Sequence, residues 1–321
     1  MNGFLLIDKP KGITSFYALK QLNRRFRIQE NAGKLGHGGT LDPAASGLLV
    51  IAIGKATKLL RFFLGSDKRY TAAIEFGTRT SSDDCEGEVI ATAPYDHVDR
   101  AKIEAVLKSR FHGEVTQVPP DFSAVHIDGK RAYKLARQGR EIEMPERTIQ
   151  IYETNVVACE LPGSPRLVLD IACSGGAYIR AIARDLGHAL GSEAHLAELR
   201  RTESCQFSIK NAHTLDYLME QKSLEPMLFS CEQAMASFQC IYPSQRSIMK
   251  LIKGIPANFN IAQDGIYPIL TKEHVLVAVL ERREGKNEYL RLMTPDELVQ
   301  ARHEAQKKEA LGAPLNTEKE N

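Results

Sequence analysis

Phe4-Leu5-Leu6-Ile7 is the first of several short apolar blocks along the chain, each closed by glycine, proline or charge. Gly3 to Asp8 reads as a short buried strand. Lys9-Pro10-Lys11-Gly12-Ile13-Thr14-Ser15 ends it: Pro10 and Gly12 punctuate a turn, and Thr14 or Ser15 supplies an N-cap for a helix to about Phe26. Leu19, Leu22 and Phe26 form the helix's apolar stripe, and Arg24, Arg25 and Arg27 spread over its other faces. Gly47 to Ile53 shows no polar alternation, so a strand there has both faces covered. Lys55 to Phe63 suits a short helix, and Lys68 to Phe76 a strand with Tyr70 near its start. Ser81 to Gly87, rich in Asp and Ser, reads as a mobile surface loop. Val98 to Phe111 puts Ile103, Val106 and Leu107 on one side of a helix.

Two prolines make Val118 to His126 extended. The basic segment Gly129 to Gly139 that follows has Ala132, Leu135 and Ala136 as its small apolar side. Arg166 to Cys173 is a strand, and Ser174-Gly175-Gly176 turns the chain into a helix from about Ala177 to Leu190. Such a strand–glycine–helix turn can cradle an anion, although its spacing is not a dinucleotide fingerprint. From Ile241 to Met293 the texture changes to short strand-like pieces between charged turns, which suits a small β-barrel. After Pro295 the chain is charged and nearly free of bulky residues, a helix fraying into disorder. Helical and strand segments mix without strict alternation, so the class is α+β with a mixed sheet flanked by helices. The division expected is 1–238 for the main domain, 239–294 for the small β-rich domain and 295–321 for the tail.

Composition narrows the function. At 321 residues the chain can bury one large domain and a small one. The six cysteines form no C-x-x-C pair, so neither a zinc site nor a disulfide framework is suggested. No apolar run approaches a membrane span or a secretory signal, and a reducing cytoplasmic setting is expected. The net charge of +2 matters less than its distribution. Lys9 to Lys34 holds seven Lys/Arg and one acid, and Lys130 to Arg140 holds five and none. These are candidate faces for a polyanion; each alone also fits an ordinary solvated helix.

Gly36-His37-Gly38-Gly39-Thr40-Leu41-Asp42-Pro43 concentrates the chemistry. The glycines free the backbone to approach a ligand, and Pro43 pushes Asp42 towards an extended conformation. An Asp before proline is ordinarily a turn or cap residue, and a lone His an ordinary polar loop residue. This octet resembles the catalytic motif of the TruB family of tRNA pseudouridine synthases, G-H-x-G-x-L-D-P. Three further stretches resemble that family in the family's order. They are Lys9 to Ser15 (K-P-x-G-x-T-S), Pro119 to Arg137 with His126 where the family has Lys, and Cys173 to Gly187 followed by Leu199-Arg200-Arg201. Gly175-Gly176-Ala177 stand where relatives have Lys-Gly-Thr.

The resemblance implies a pseudouridine-synthase-like mixed sheet with a small C-terminal PUA-like β-barrel. The implied activity is isomerisation of uridine 55 (tRNA numbering) in the T-loop of tRNA, after the base is flipped out. Asp42 would be the nucleophile and Arg180 its ion-pair partner. Tyr70 would stack on the base and abstract a proton. Tyr178 and Leu199 would line the pocket, and His37 would fill the gap left by the base. Lys9, Arg24, Lys130 and Arg137 would hold RNA phosphates. No cofactor, metal or guide RNA is expected, and the protein is expected to act as a monomer on the tRNA T-arm. Two rivals are a guide-RNA-dependent synthase and an RNA chaperone for which binding is the main role.

Overall fold

The computed structural model describes residues 1–123, 125–127, 130–132, 138, 143–299 and 301–302. The first strand, β1 (Gly3–Lys9), is followed by β2 (Leu35–His37), β3 (Ala45–Ile53) and β4 (Lys68–Phe76). A ribbon of β5 (Thr78–Thr80) and β6 (Val89–Thr92) precedes β7 (Gly113–Gln117). A second ribbon, β8 (His126–Ile127) with β9 (Lys130–Arg131), precedes β10 (Arg147–Cys159) and β11 (Arg166–Cys173). Then come β12 (Ala194–Ser204), β13 (Phe207–Ser208) and β14 (His213–Thr214), and finally β15 (Gly265–Leu270), β16 (Leu276–Arg283) and β17 (Lys286–Arg291).

The main sheet runs in the order β14-β1-β3-β12-β4-β11-β10-β7, with β2 beside β3 and β13 beside β12. The pairs β1–β14 and β3–β12 are parallel and the others antiparallel. The mixed α+β sheet expected from the sequence is therefore present. Its two faces divide β3 as the unbroken apolar run required. Leu49, Ile51 and Ile53 pack with Leu5, Ile7 and the stripe Leu19, Leu22 and Phe26 of the helix Ser15–Phe26. Leu48, Val50 and Ala52 face the other way, against Phe63, Phe207 and residues of the C-terminal sheet, including Leu270, Leu276 and Val279.

β3 and β12 approach each other closely at Gly47. Gly47 has φ +104°, and a Cβ there would sit 2.3 Å from the Arg201 carbonyl oxygen. Only glycine fits, so the two strands carrying the ends of the Asp42 and Leu199 motifs lie side by side.

The C-terminal region is smaller than the β-barrel expected. Its described strands form a three-stranded antiparallel sheet, β15-β16-β17, joined by an isolated parallel bridge between Ile241 and Ile269. It shares an apolar core with the main sheet, and Arg61 adds ion pairs to Glu281 and Glu288 across the junction. The expected helix Lys55 to Phe63 is instead a 3-10 segment, Gly54–Leu59, and one α-turn, Arg61–Leu64. No helix among the described residues is long and apolar enough to cross a membrane. Arg137, most of the basic segment 129–139 and the tail beyond 302 lie outside the described residues.

Candidate active site

Asp42 is presented by a loop that the rest of the chain holds from three sides. Gly36 and His37 are not loop residues: they form β2, with His37 opposite Ile51 of β3. Gly38 continues the pairing, its N–H donating to the Val50 carbonyl at 2.8 Å. Of the glycines Gly36, Gly38 and Gly39, only Gly39 has a left-handed φ, +130°. The loop proper is thus four residues, Gly39 to Asp42, and the turn after it is closed by the Ala45 N–H donating to the Asp42 carbonyl.

The Lys9–Ser15 turn is the second support. Gly12 donates its N–H to the Pro43 carbonyl at 2.8 Å. Thr14 is the N-cap, accepting from the Tyr17 N–H. That frees Ser15, whose buried Oγ accepts from the Leu41 N–H at 2.9 Å and donates to the Leu41 carbonyl at 3.0 Å. Lys9, expected on an RNA-facing basic surface, is fully buried. Its Nζ donates to the Pro10 and Ile13 carbonyls, both at 2.8 Å. Burial lowers its pKa to about 8, against the opposing pull of Asp42. The β1 strand runs straight into the turn, so a residue two positions past the apolar block stays inside.

Arg201 is the third support, marked in the sequence only by the Leu-Arg-Arg match. It is 1% exposed. Its Nε donates to the Leu48 carbonyl at 2.8 Å and Nη2 to the Gly39 carbonyl at 3.1 Å, so one guanidinium ties β3 to the loop. The same group faces Tyr70, whose phenol burial pushes up while Arg201 pulls it down. Burial, with Arg201 second, also lowers the pKa of His37, which is therefore a neutral imidazole at pH 7. Its Nδ1 is buried without a partner.

Arg180 closes the site. The helix carrying it is Ile179–Ala189, and Tyr178, expected inside the helix, is instead its N-cap in an extended conformation. Arg180 Nη2 lies 3.0 Å from Asp42 Oδ2 and donates to the Phe122 carbonyl at 3.1 Å. Nη1 donates to the Ser82 carbonyl at 3.1 Å and lies 3.5 Å from Asp84 Oδ2. The Arg180 side chain is 8% exposed and that of Asp42 45%, so the pair sits at a boundary: a buried cation holding a carboxylate at the surface of a cleft. The pairing of Arg180 with Asp185, open from the sequence, is taken by Arg184 at 2.9 Å.

The segment Ser81 to Gly87, expected at the surface, is exposed only at Ser81, Cys85 and Glu86. Ser82, Asp83 and Asp84 are buried. Asp84 meets Arg180, and Asp83 meets Arg184 Nη1 at 2.8 Å. A run of Asp and Ser resembles an exposed turn until a buried and a partly buried arginine on one helix face require counter-charges.

Asp42, Asp84, Arg180 and Leu199 line one narrow pocket, together with Ala44, Ala45 and Cys85. Tyr70 is on β4, where its neighbour across β12 is Arg201. Tyr178 is not in the pocket lining; the Arg147 guanidinium lies over its ring, 5.3 Å from the centroid. Arg24 is exposed on the outer face of its helix, donating to Gln21. Lys130 lies in the β8–β9 ribbon. Among the described residues no cluster of His, Cys, Asp and Glu could hold a metal ion.

Comparison with known proteins gives the same family twice over. A model described as TruB family pseudouridylate synthase, N terminal domain, matches residues 24–179. One described as tRNA pseudouridylate synthase B C-terminal domain matches residues 180–236. The tRNA pseudouridine synthase B of Syntrophotalea carbinolica is 38% identical over 83% of this chain and 85% of its own length. That of Bordetella avium is 44% identical over 68% of this chain and 87% of its own. Among solved structures, one titled Crystal Structure of a Cbf5-Nop10-Gar1 Complex has a TM-score of 0.69 at 25% identity, covering 92% of this chain and 86% of that one. A presented aspartate, its buried arginine and these matches across the same residues lead to one conclusion: the chain belongs to the TruB family of pseudouridylate synthases.

Proposed function

We propose that this protein converts a uridine of the tRNA T-loop, position 55 in tRNA numbering, to pseudouridine, with Asp42 as nucleophile. The observation that carries the reading is the 3.0 Å contact between Arg180 Nη2 and Asp42 Oδ2, with the Asp42 side chain half exposed beside a narrow pocket. Family membership supports the reaction, and the names of relatives at 38–44% identity support tRNA as the substrate.

The reaction breaks the N1–C1′ bond, rotates the base and forms a C5–C1′ bond. C5 loses a proton and N1 gains one, so atoms and electrons balance without an oxidant or reductant. Positive charge develops at C1′ as the glycosidic bond breaks, as in glycoside cleavage, and a carboxylate beside that carbon stabilises it. Arg180 grips Asp42 through Oδ2, which leaves Oδ1 to meet the ribose. Tyr70 enters as a neutral phenol and stacks on the base; Arg201, facing it, is the group that would support loss of its proton to let it accept one from C5. Leu199 gives the pocket an apolar wall. His37, neutral and flat, fits the gap that flipping leaves in the T-loop, a step that costs roughly a few kcal/mol. Arg24, Lys130 and Arg137 hold phosphates and fix register. The C-terminal sheet serves as a PUA-type RNA-binding module, and the protein acts as a cytoplasmic monomer without guide RNA.

The test is to map pseudouridine in unmodified tRNA transcripts incubated with the protein alone. Conversion at position 55 that disappears in Asp42→Asn, with tRNA affinity kept, is the expected result. Conversion only after a guide RNA is added would favour the guide-dependent rival, whose support is likeness to the Cbf5-Nop10-Gar1 structure. Near-normal turnover by Asp42→Asn would defeat the mechanism.

A further inference from the structure

We infer that Gln117 is a positioning residue for Arg180, acting through the backbone of Tyr178. Tyr178 begins the helix that carries Arg180, yet it has no side-chain oxygen suited to capping and makes no side-chain cap bond. Gln117 takes over. Its Oε1 accepts from the Tyr178 N–H at 2.8 Å and its Nε2 donates to the Tyr178 carbonyl at 3.0 Å. A side-chain amide here pairs with a main-chain residue on both edges, as a neighbouring strand would. Gln117 is 2% exposed, so neither bond is easily replaced by water.

The site around this amide is built as a clamp. Gln117 ends β7, an edge strand, and its register partner on β10 is Arg147. Arg147 Nη1 donates to the Gly176 carbonyl at 3.1 Å, and its guanidinium covers the Tyr178 ring. One facing pair therefore grips residues 176 to 178 from the sheet edge. Downstream of Gln117, the chain is tied to the same helix twice more. The Val118 carbonyl accepts from Arg184 Nη2 at 2.9 Å, and the Phe122 carbonyl accepts from Arg180 Nη2 at 3.1 Å. Segment 117–122 and the helix start are thus laced in register. A slip of the first tie moves the guanidinium that must meet Asp42 and Asp84 at once. The chemistry of Asp42 depends on that meeting, because a misplacement of about 1 Å can cost about 100-fold in rate.

This inference rests on Asp42 and Arg180 being the catalytic pair. Two variants of the full chain test it by single-turnover pseudouridine formation on a tRNA transcript. Gln117→Leu, which removes both bonds, is expected to slow the chemical step about 10- to 100-fold with tRNA Kd within about threefold of wild type. Gln117→Glu keeps the shape. Above its pKa the carboxylate still accepts from the Tyr178 N–H but opposes the Tyr178 carbonyl; once protonated it donates to that carbonyl and restores the pair. Its rate relative to wild type is therefore expected to rise about tenfold as pH falls from about 8 to about 6. A pH profile parallel to wild type, or a Gln117→Leu rate within twofold of it, would overturn the proposal. So would a loss expressed equally in Kd. The crystal structure of either variant gives a readout independent of turnover: the Arg180–Asp42 separation should exceed about 4 Å in Gln117→Leu, and an unchanged 3.0 Å overturns the clamp. A wild-type protein that makes no pseudouridine would refute the functional reading while leaving that distance to decide the clamp.

Discussion

Ser15→Ala removes one hydroxyl and breaks two bonds, because Oγ both accepts from and donates to the main chain of Leu41. Ser15 and Leu41 are both buried, so the alanine leaves a donor and an acceptor unpaired away from water. Each such orphan costs about 1–3 kcal/mol, which gives about 2–6 kcal/mol if the loop stays closed. The alternative is for the loop to open locally, letting Leu41 reach water and carrying Asp42 away from Arg180. That caps the loss of global stability below this sum and moves the remainder into catalysis as a reduced population of aligned Asp42. Each 1.4 kcal/mol removed from that population is about tenfold in rate. Urea unfolding and single-turnover pseudouridine formation measure the two parts. The control is Thr14→Ala next door, which loses an exposed helix cap and should cost about 1 kcal/mol of stability with no change in rate. If Ser15→Ala matched wild type in both assays, or behaved like Thr14→Ala, the Leu41 contacts would not be what holds the loop.

Two further outcomes follow from the site's charges. Arg180→Lys should leave tRNA binding intact and slow product formation by about two orders of magnitude or more, since one ammonium cannot span Asp42, Asp84 and the Ser82 and Phe122 carbonyls together; an unchanged single-turnover rate would remove Arg180 from the mechanism. Lys9 binds its proton less tightly folded, near pH 8, than unfolded, near 10.5. The unfolded chain therefore carries more protons between those values, and stability rises with pH across that window, by up to about 3 kcal/mol. Urea midpoints at the two ends of the window should show the rise in wild type and not in Lys9→Met; equal slopes would mean that the lysine is solvated.

How much of this was written in the chain can be argued residue by residue. Periodicity found the strand around Gly47 to Ile53 because seven consecutive non-polar residues leave no face for water. It found the helix Ser15–Phe26 because a capping threonine and an apolar stripe agree. It missed β12: Ala194-His195-Leu196-Ala197-Glu198-Leu199-Arg200 is rich in good helix formers, and only pairing with β3 and β4 on its two edges makes it a strand. It missed β10 because that strand is half exposed and its polar residues break the alternation.

The local sequence alone determined that Asp42 sits on a short loop before a buried strand, and the order of motifs named its family. Which groups surround that carboxylate was decided by tertiary structure. Arg180 comes from a helix more than a hundred residues downstream, Asp84 from what reads as a surface turn, Arg201 from a strand of helix-forming residues, and Ser15 and Lys9 from a turn that reads as a cap and a basic patch. Each had a sufficient local explanation, and nothing within a few residues of it betrays another role. Burying a charge or a backbone polar group is costly, so every such group must find its partner wherever the fold brings one. Those partners are long-range, and a one-dimensional pattern does not contain them.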